Sequence, residues 1–175
     1  IIAPPLVNGG QCELVNHVPV EGDRLRREGH PFDLEADEVI AAEAGLTIPD
    51  GTTFLMVLGE KIGPEDMFSA EKLSPVVTLW KYSEFSKAVQ MVIDITAFSG
   101  YGHSCGIHSN NEEHIMELAM KAKVSRMMVR QPQSYGNSGD WVNGMAFTMT
   151  LGCGTLGGNI TTENITWRHF LNVTW

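Results

Sequence analysis

Residues 152–157 read Gly-Cys-Gly-Thr-Leu-Gly, or G-x-G-x-x-G. With this spacing a tight turn can bring backbone N–H groups onto a pyrophosphate. The chemistry needs a strand before the motif, a helix after it and an acidic residue about 20 positions on. Met145 to Leu151 is strand-like, but Gly158-Asn159-Ile160-Thr161-Thr162 is a poor helix start, rich in β-branched residues. The sequence reaches Trp175 without a second strand and acidic partner, and a complete βαβ unit needs roughly 30 residues. The stretch therefore reads as a packed turn, with Cys153 a structural thiol inside it.

Other residues suit different chemistry. Cys12 follows Asn8-Gly9-Gly10-Gln11, and small residues ahead of a thiol let substrate and backbone approach it closely. Cys12 can act there as a nucleophile, with the Asn8 amide and a backbone N–H forming an oxyanion site; an inert buried cysteine has the same local sequence. Glu71 is a carboxylate just ahead of a strand, placed either to accept ribose hydroxyls or simply to be solvated. His103 stands at a strand start, substrate-facing or structural. Arg126 and Arg130 flank Met127–Val129 beside a Gly-rich loop, where guanidinium groups suit an anionic substrate or ordinary surface charge. His103, Cys105, His108 and His114 fit no common zinc spacing, so no metal site is expected.

These residues need a scaffold. Thr53–Leu58, Val76–Trp80, Cys105–His108 and Val124–Val129 read as strands. Leu34–Ala44 reads as a helix capped by Asp33 and closed by Gly45. Phe85, Ala88, Val89 and Val92 form a helical stripe, capped by Ser83 and stopped at Ser99-Gly100. Asn110 or Asn111 caps another helix, with apolar face Ile115, Leu118, Ala119 and Ala122. Strands alternating with helices predict an α/β fold, a three-layer αβα arrangement on a largely parallel sheet. Gln131–Gly144 reads as a long loop.

The 175 residues suit one domain. With 43% hydrophobic and 19% charged residues, the composition is globular. A net charge of -9 argues against nucleic acid or an anionic membrane as main partner. No apolar run approaches the ~20 residues of a membrane helix. Three cysteines, an odd and sparse count, point to free thiols and the cytoplasm. The glycosylation triplets at Asn159, Asn164 and Asn172 read as accidents of an Asn- and Thr-rich tail. Ile1-Ile2-Ala3-Pro4-Pro5 reads as cut from something longer.

Ordered motifs across about a hundred residues resemble the CoA-acylating branch of the aldehyde dehydrogenase superfamily. They are Glu71-Lys72-Leu73-Ser74-Pro75, Gly102-His103-Ser104, Arg126 with Pro132 and Ser134, Gly139-Asp140, Leu151 to Asn159, Glu163-Asn164 and His169-Phe170-Leu171-Asn172. Gly102 to Gly106 and Gln131 to Gly136 make the chain most like the branch acting on sulfoacetaldehyde. Asn8-Gly9-x-x-Cys12 has the spacing of the family's nucleophile segment, with Leu6-Val7 where relatives have Phe-Asp.

The resemblance implies an aldehyde dehydrogenase-like catalytic domain over 1–175, with the cofactor-binding domain absent and 21–33 shortened or rearranged. It implies Cys12 as nucleophile and Asn8 as oxyanion holder. Glu71 would lie on the nicotinamide ribose of NAD or NADP, and His103, Arg130 and Ser134 on the substrate. The partners implied are a small aldehyde, anionic if Arg130 binds its head group, and coenzyme A, in a homo-oligomer. A catalytically silent portion, kept for folding, oligomer contacts or ligand binding, is the alternative.

Overall fold

A computed structural model describes residues 13–16, 36–49, 51–72 and 74–174. Strands are β1 (Glu13–Asn16), β2 (Leu55–Leu58), β3 (Val76–Lys81), β4 (Gly102–Ile107) and β5 (Val124–Val129); helices are α1 (Ala36–Glu43), α2 (Phe85–Ser99), α3 (Glu112–Lys121) and α4 (Gln133–Asn137). Two sheets form among the described residues. One has the order β1-β3-β2, with β2 parallel and β1 antiparallel to β3; the other is the parallel pair β4-β5. Strand, helix, strand succession around parallel pairs is the α/β arrangement expected.

The second sheet positions the candidate site. Its ladder pairs Gly102 with Val124, Ser104 with Arg126 and Ile107 with Val129. Alternation along a strand sends neighbouring side chains to opposite faces. Cys105 and Ile107 join Val89 of α2 and Ile115 and Leu118 of α3 in one core, against which Met127 and Val129 pack. Each large apolar side chain buried there contributes roughly 1.5–3 kcal/mol. Ser104, Gly106, Arg126 and Met128 are left for the other face. There α4 approaches so closely that a Cβ on Gly136 would sit 2.3 Å from the Met128 sulfur.

Local chemistry explains the helices. The Asn111 side chain accepts from the N–H groups of Glu113 and His114 and caps α3. Glu112 and Glu113 sit in its first turn and Lys121 in its last, as the helix dipole favours. α2 carries the predicted stripe, with Ala88, Val89 and Ile95 buried, and ends at Gly100, whose φ is 116°.

Several expectations are corrected. The cap of α2 is Glu84, without a side-chain cap bond, and not Ser83. β4 begins three residues earlier than expected, at Gly102. Ala119 is exposed, outside the apolar face of α3. Met145–Leu151 forms no strand, and the expected loop 131–144 contains α4. Both misreadings concern segments fixed by side chains distant in sequence. Helix 34–44 is observed as Ala36–Glu43, and its expected cap Asp33 lies outside the described residues. No helix is long and apolar enough to cross a membrane among the described residues.

Candidate functional site

Arg126 is the hub of the face opposite α2 and α3. It is 5% exposed. Its Nε donates to Asn164 Oδ1 at 2.7 Å, and one terminal nitrogen donates to the carbonyls of Gly152 at 3.0 Å and His103 at 3.4 Å. Asn164 in turn donates from Nδ2 to the carbonyls of Asn137 (2.9 Å) and Ala146 (2.8 Å). One guanidinium fork and one amide thus tie β4, β5, α4, the 146 segment and the 152 turn together. A fork with five fixed N–H donors suits such divergent acceptors, which a lysine would not match. Burial pushes the guanidinium below its ordinary value, and a neighbouring Cys153 opposes that shift. Asn164 is buried with its amide fully engaged, so the triplet at 164–166 cannot carry a glycan in this fold.

The G-x-G-x-x-G stretch packs against the start of this sheet. A Cβ on Gly102 (φ 103°) would lie 1.8 Å from the Cys153 carbonyl oxygen, and one on Gly154 (φ 66°) 2.0 Å from Ser125 Oγ. Ser125 Oγ itself donates to the Cys153 carbonyl at 3.2 Å. Only Thr155–Gly157 is helical, a single 3-10 turn, too short to present a dipole-backed anion site. These glycines permit close backbone approach, as expected for a packed turn.

His103 sits where β4 leaves this turn. Its Nδ1 lies 3.0 Å from Ser104 Oγ. Burial lowers its pKa from the ordinary 6.5, the Arg126 charge lowers it further, and the Glu71 carboxylate acts against both. The three side chains are therefore electrostatic neighbours, although 71 and 126 are far apart in sequence. Glu71 itself is exposed, with no hydrogen-bond or ion-pair partner among the described residues.

The loop bearing Glu71 is built from below. Ser69 is fully buried; its Oγ accepts from the Gly63 N–H at 2.8 Å and has one proton to give, with the Asp66 carbonyl at 2.7 Å and the Gly63 carbonyl at 3.2 Å. Lys72 turns its ammonium onto the Ala70 carbonyl at 2.8 Å, and burial lowers its pKa. Ser99 Oγ, at the end of α2, donates to the Ser69 carbonyl. That bond docks the Glu71 loop beside the chain entering β4.

The other candidates fall elsewhere. Arg130 (φ 55°) donates to the Ser109 carbonyl at 3.0 Å and reaches Glu112 at 3.5 Å, at the other end of β5 from His103. Ser134 lies within α4. Cys12 and Asn8 lie outside the described residues. The Cys105 thiol is buried and pushed up to about 12 by desolvation, which makes it inert. Cys105 and Cys153 are free thiols. No group of three or more His, Cys, Asp or Glu side chains could hold a metal among the described residues.

Sequence reasoning did not assign roles to Asn164, Ser104, Gln133 or Asn137. Apart from the adjacent His103 and Ser104, the partners lie 18 to 38 residues away, so no local spacing signals them; the motif resemblance touched Ser104, Gln133 and Asn164 without giving them roles.

No family model matches the chain. A sulfoacetaldehyde dehydrogenase (acylating) of Bilophila wadsworthia is 50% identical over 138 residues, covering 79% of this chain and 30% of that enzyme. A succinate-semialdehyde dehydrogenase (acetylating) of Clostridium kluyveri is 38% identical over 136 residues, covering 78% and 30%. The crystal structure of an acetylating aldehyde dehydrogenase from Geobacillus thermoglucosidasius superposes with a TM-score of 0.72 at 33% identity, covering 77% of this chain and 30% of that one. The chain spans about 30% of the length of these curated relatives. The chain is thus similar to one part of acylating and acetylating aldehyde dehydrogenases, sulfoacetaldehyde dehydrogenases among them.

Proposed function

We propose that the chain contributes to an acylating aldehyde dehydrogenase that converts a small anionic aldehyde, of the sulfoacetaldehyde class, to an acyl-CoA. The observation that carries this reading is the 50% identity to a sulfoacetaldehyde dehydrogenase (acylating) over 138 residues. The neighbourhood of Glu71, His103 and Arg126 supports it.

In this reading the Cys12 thiolate adds to the aldehyde carbon, forming a C–S bond while the carbonyl electron pair moves to oxygen. Asn8 and a backbone N–H stabilise that oxyanion. The carbonyl re-forms as the hydrogen on carbon leaves as hydride, giving a thioester on Cys12. The thiolate of coenzyme A attacks the thioester, and Cys12 departs with the bonding pair. A bound nicotinamide, NAD or NADP, supplies the hydride acceptor. Glu71 fits such a group, because an exposed carboxylate with no ion-pair partner among the described residues can accept two ribose hydroxyls. His103 and Ser134 orient the aldehyde; Arg130, roughly 17 Å along β5 from His103, is an alternative anchor for its anionic head and not a second contact on the same small molecule. Arg130 would have to exchange the exposed Glu112 contact for the substrate, at little cost. The setting is cytoplasmic, in keeping with the free thiols of Cys105 and Cys153. A homo-oligomer suits exposed apolar side chains such as Trp141, Met149 and Phe170.

The share of the relatives' length covered, about 30%, favours a second reading in which this chain alone is catalytically silent. The test is reduced-nicotinamide formation with sulfoacetaldehyde and coenzyme A, by the chain alone and mixed with the complementary remainder of a relative. Turnover in the mixture that vanishes in Cys12→Ser is expected. Activity indifferent to Cys12 overturns the mechanism, and no turnover in any combination establishes the silent reading.

A further inference from the structure

Three nitrogens surround one hydroxyl. Ser104 Oγ lies 2.8 Å from Gln133 Nε2, 2.9 Å from Asn137 Nδ2 and 3.0 Å from His103 Nδ1. An amide nitrogen has only protons to give, and a hydroxyl has two lone pairs and one proton. The two amides take both lone pairs. The hydroxyl proton then goes to Nδ1, which must be bare to receive it. A neutral imidazole carries one ring proton, so that proton sits on Nε2.

We propose that Ser104, held by Gln133 and Asn137, is a positioning residue that fixes His103 as the Nε2–H tautomer, so that the ring meets its ligand as a hydrogen-bond donor and not as a base. The functional half of this statement rests on the reading that puts His103 against the aldehyde; the tautomer itself does not.

The surroundings of the amides support the assignment. Gln133 is 9% exposed and Asn137 1%. Their carbonyl oxygens, Gln133 Oε1 and Asn137 Oδ1, have no partner among the described residues. If both turned over, two oxygens would face a hydroxyl with a single proton, and one would be repelled; if only one turned over, its oxygen would take that proton and Nδ1–H would donate to Ser104, the arrangement that overturns the proposal. The cluster is also anchored from below, because Asn164 holds the Asn137 backbone carbonyl and Arg126 holds Asn164. The charged groups acting on the ring are Arg126, which disfavours an imidazolium, and Glu71, which favours it. Burial and Arg126 outweigh Glu71, so the pKa of the ring lies below its ordinary value and the imidazolium is disfavoured. A neutral ring whose Nδ1 is occupied cannot take the proton of a thiol. It can donate from Nε2 to a carbonyl or sulfonate oxygen.

The test uses the full chain labelled with nitrogen-15 histidine and long-range proton–nitrogen correlation spectra, with His103 assigned through His103→Gln. The expected pattern for His103 is a protonated Nε2 and a bare Nδ1. Ser104→Ala is expected to lose that pattern and Ser104→Thr to keep it. Should Ser104→Ala fail to fold, Gln133→Glu offers the hydroxyl a stronger acceptor, and the His103 proton is expected to move to Nδ1. A protonated Nδ1 in the parent chain, or an unchanged pattern in both Ser104→Ala and Gln133→Glu, overturns the proposal. If the spectra behave as expected but His103→Gln leaves aldehyde turnover intact in the reconstituted mixture, the aldehyde reading falls and the tautomer lock stands.

Discussion

Arg126 and Arg130 stand four positions apart, one inside β5 and one just past its end, and their surroundings differ completely. Arg126 is 5% exposed and spends its donors on an amide oxygen and two backbone carbonyls. Arg130 has a side chain 49% exposed and makes one carbonyl contact and one long ion pair. A buried charge is stable only where dipoles replace the water it lost. An exposed pair gains little, because water screens it and two long side chains must be ordered. The same residue type is thus a fastener at one position and an adjustable surface group at the other.

The contrast breaks first at the glycine beneath the fastener. Gly102→Ala drives a Cβ to 1.8 Å from the Cys153 carbonyl at a φ of 103°. A loss of about 4 kcal/mol or more is expected, read as a collapse of the urea midpoint or of soluble yield. Arg126→Met leaves Asn164 Oδ1 and the Gly152 carbonyl unpaired. Unfolding is expected to be easier by about 3 kcal/mol, and Arg126→Lys should recover little of it. Asn164→Ala removes the acceptor of Arg126 and the donor to two carbonyls, at a cost of about 2 kcal/mol. Arg130→Ala should cost under about 1 kcal/mol. Arg130→Gly should be still milder, since glycine adopts a φ of 55° without strain. If Arg126 and Arg130 variants unfolded alike, the distinction would be void. In the reconstituted enzyme, Arg130→Ala is expected to lose more turnover on sulfoacetaldehyde than on acetaldehyde, and equal loss removes its head-group role.

The smallest effect expected is on pH dependence. Burial and the Arg126 charge hold folded His103 below its ordinary 6.5. The unfolded chain therefore takes up this proton first as pH falls. Stability from this group declines as pH drops below 6.5 and levels off below the depressed folded value. His103→Gln should flatten that part of a urea-midpoint profile, and an unchanged slope would show that neither burial nor Arg126 holds the ring below its ordinary value.

The ends of α3 and β5 were readable from local sequence. Asn111 as a cap, acidic residues in the first turn and the run from Val124 to Val129 are cues within a few residues. The inner face of the candidate site was not. Gln133 looked like part of a polar loop because its partner Ser104 is 29 residues away. Met145–Leu151 looked like a strand because its apolar residues suggest one, whereas the bond from Asn164 to the Ala146 carbonyl uses a side chain where a ladder would use backbone. Glu71 and His103 were each named on their own, and nothing in their spacing announced that one would feel the other's charge.

By itself the sequence determined the alternating helices and strands, the apolar stripes that build the core, and the failure of G-x-G-x-x-G as a phosphate cradle. These follow from local propensity and period, which act over a turn or a strand. Only the tertiary structure decided that the glycines of 152–157 serve close packing against Gly102, that Arg126 and not Arg130 is the buried arginine, and that Ser104 stands between two amides and a histidine. Those outcomes depend on desolvation and on hydrogen bonds between segments far apart in the chain, and neither exists until the fold brings the segments together.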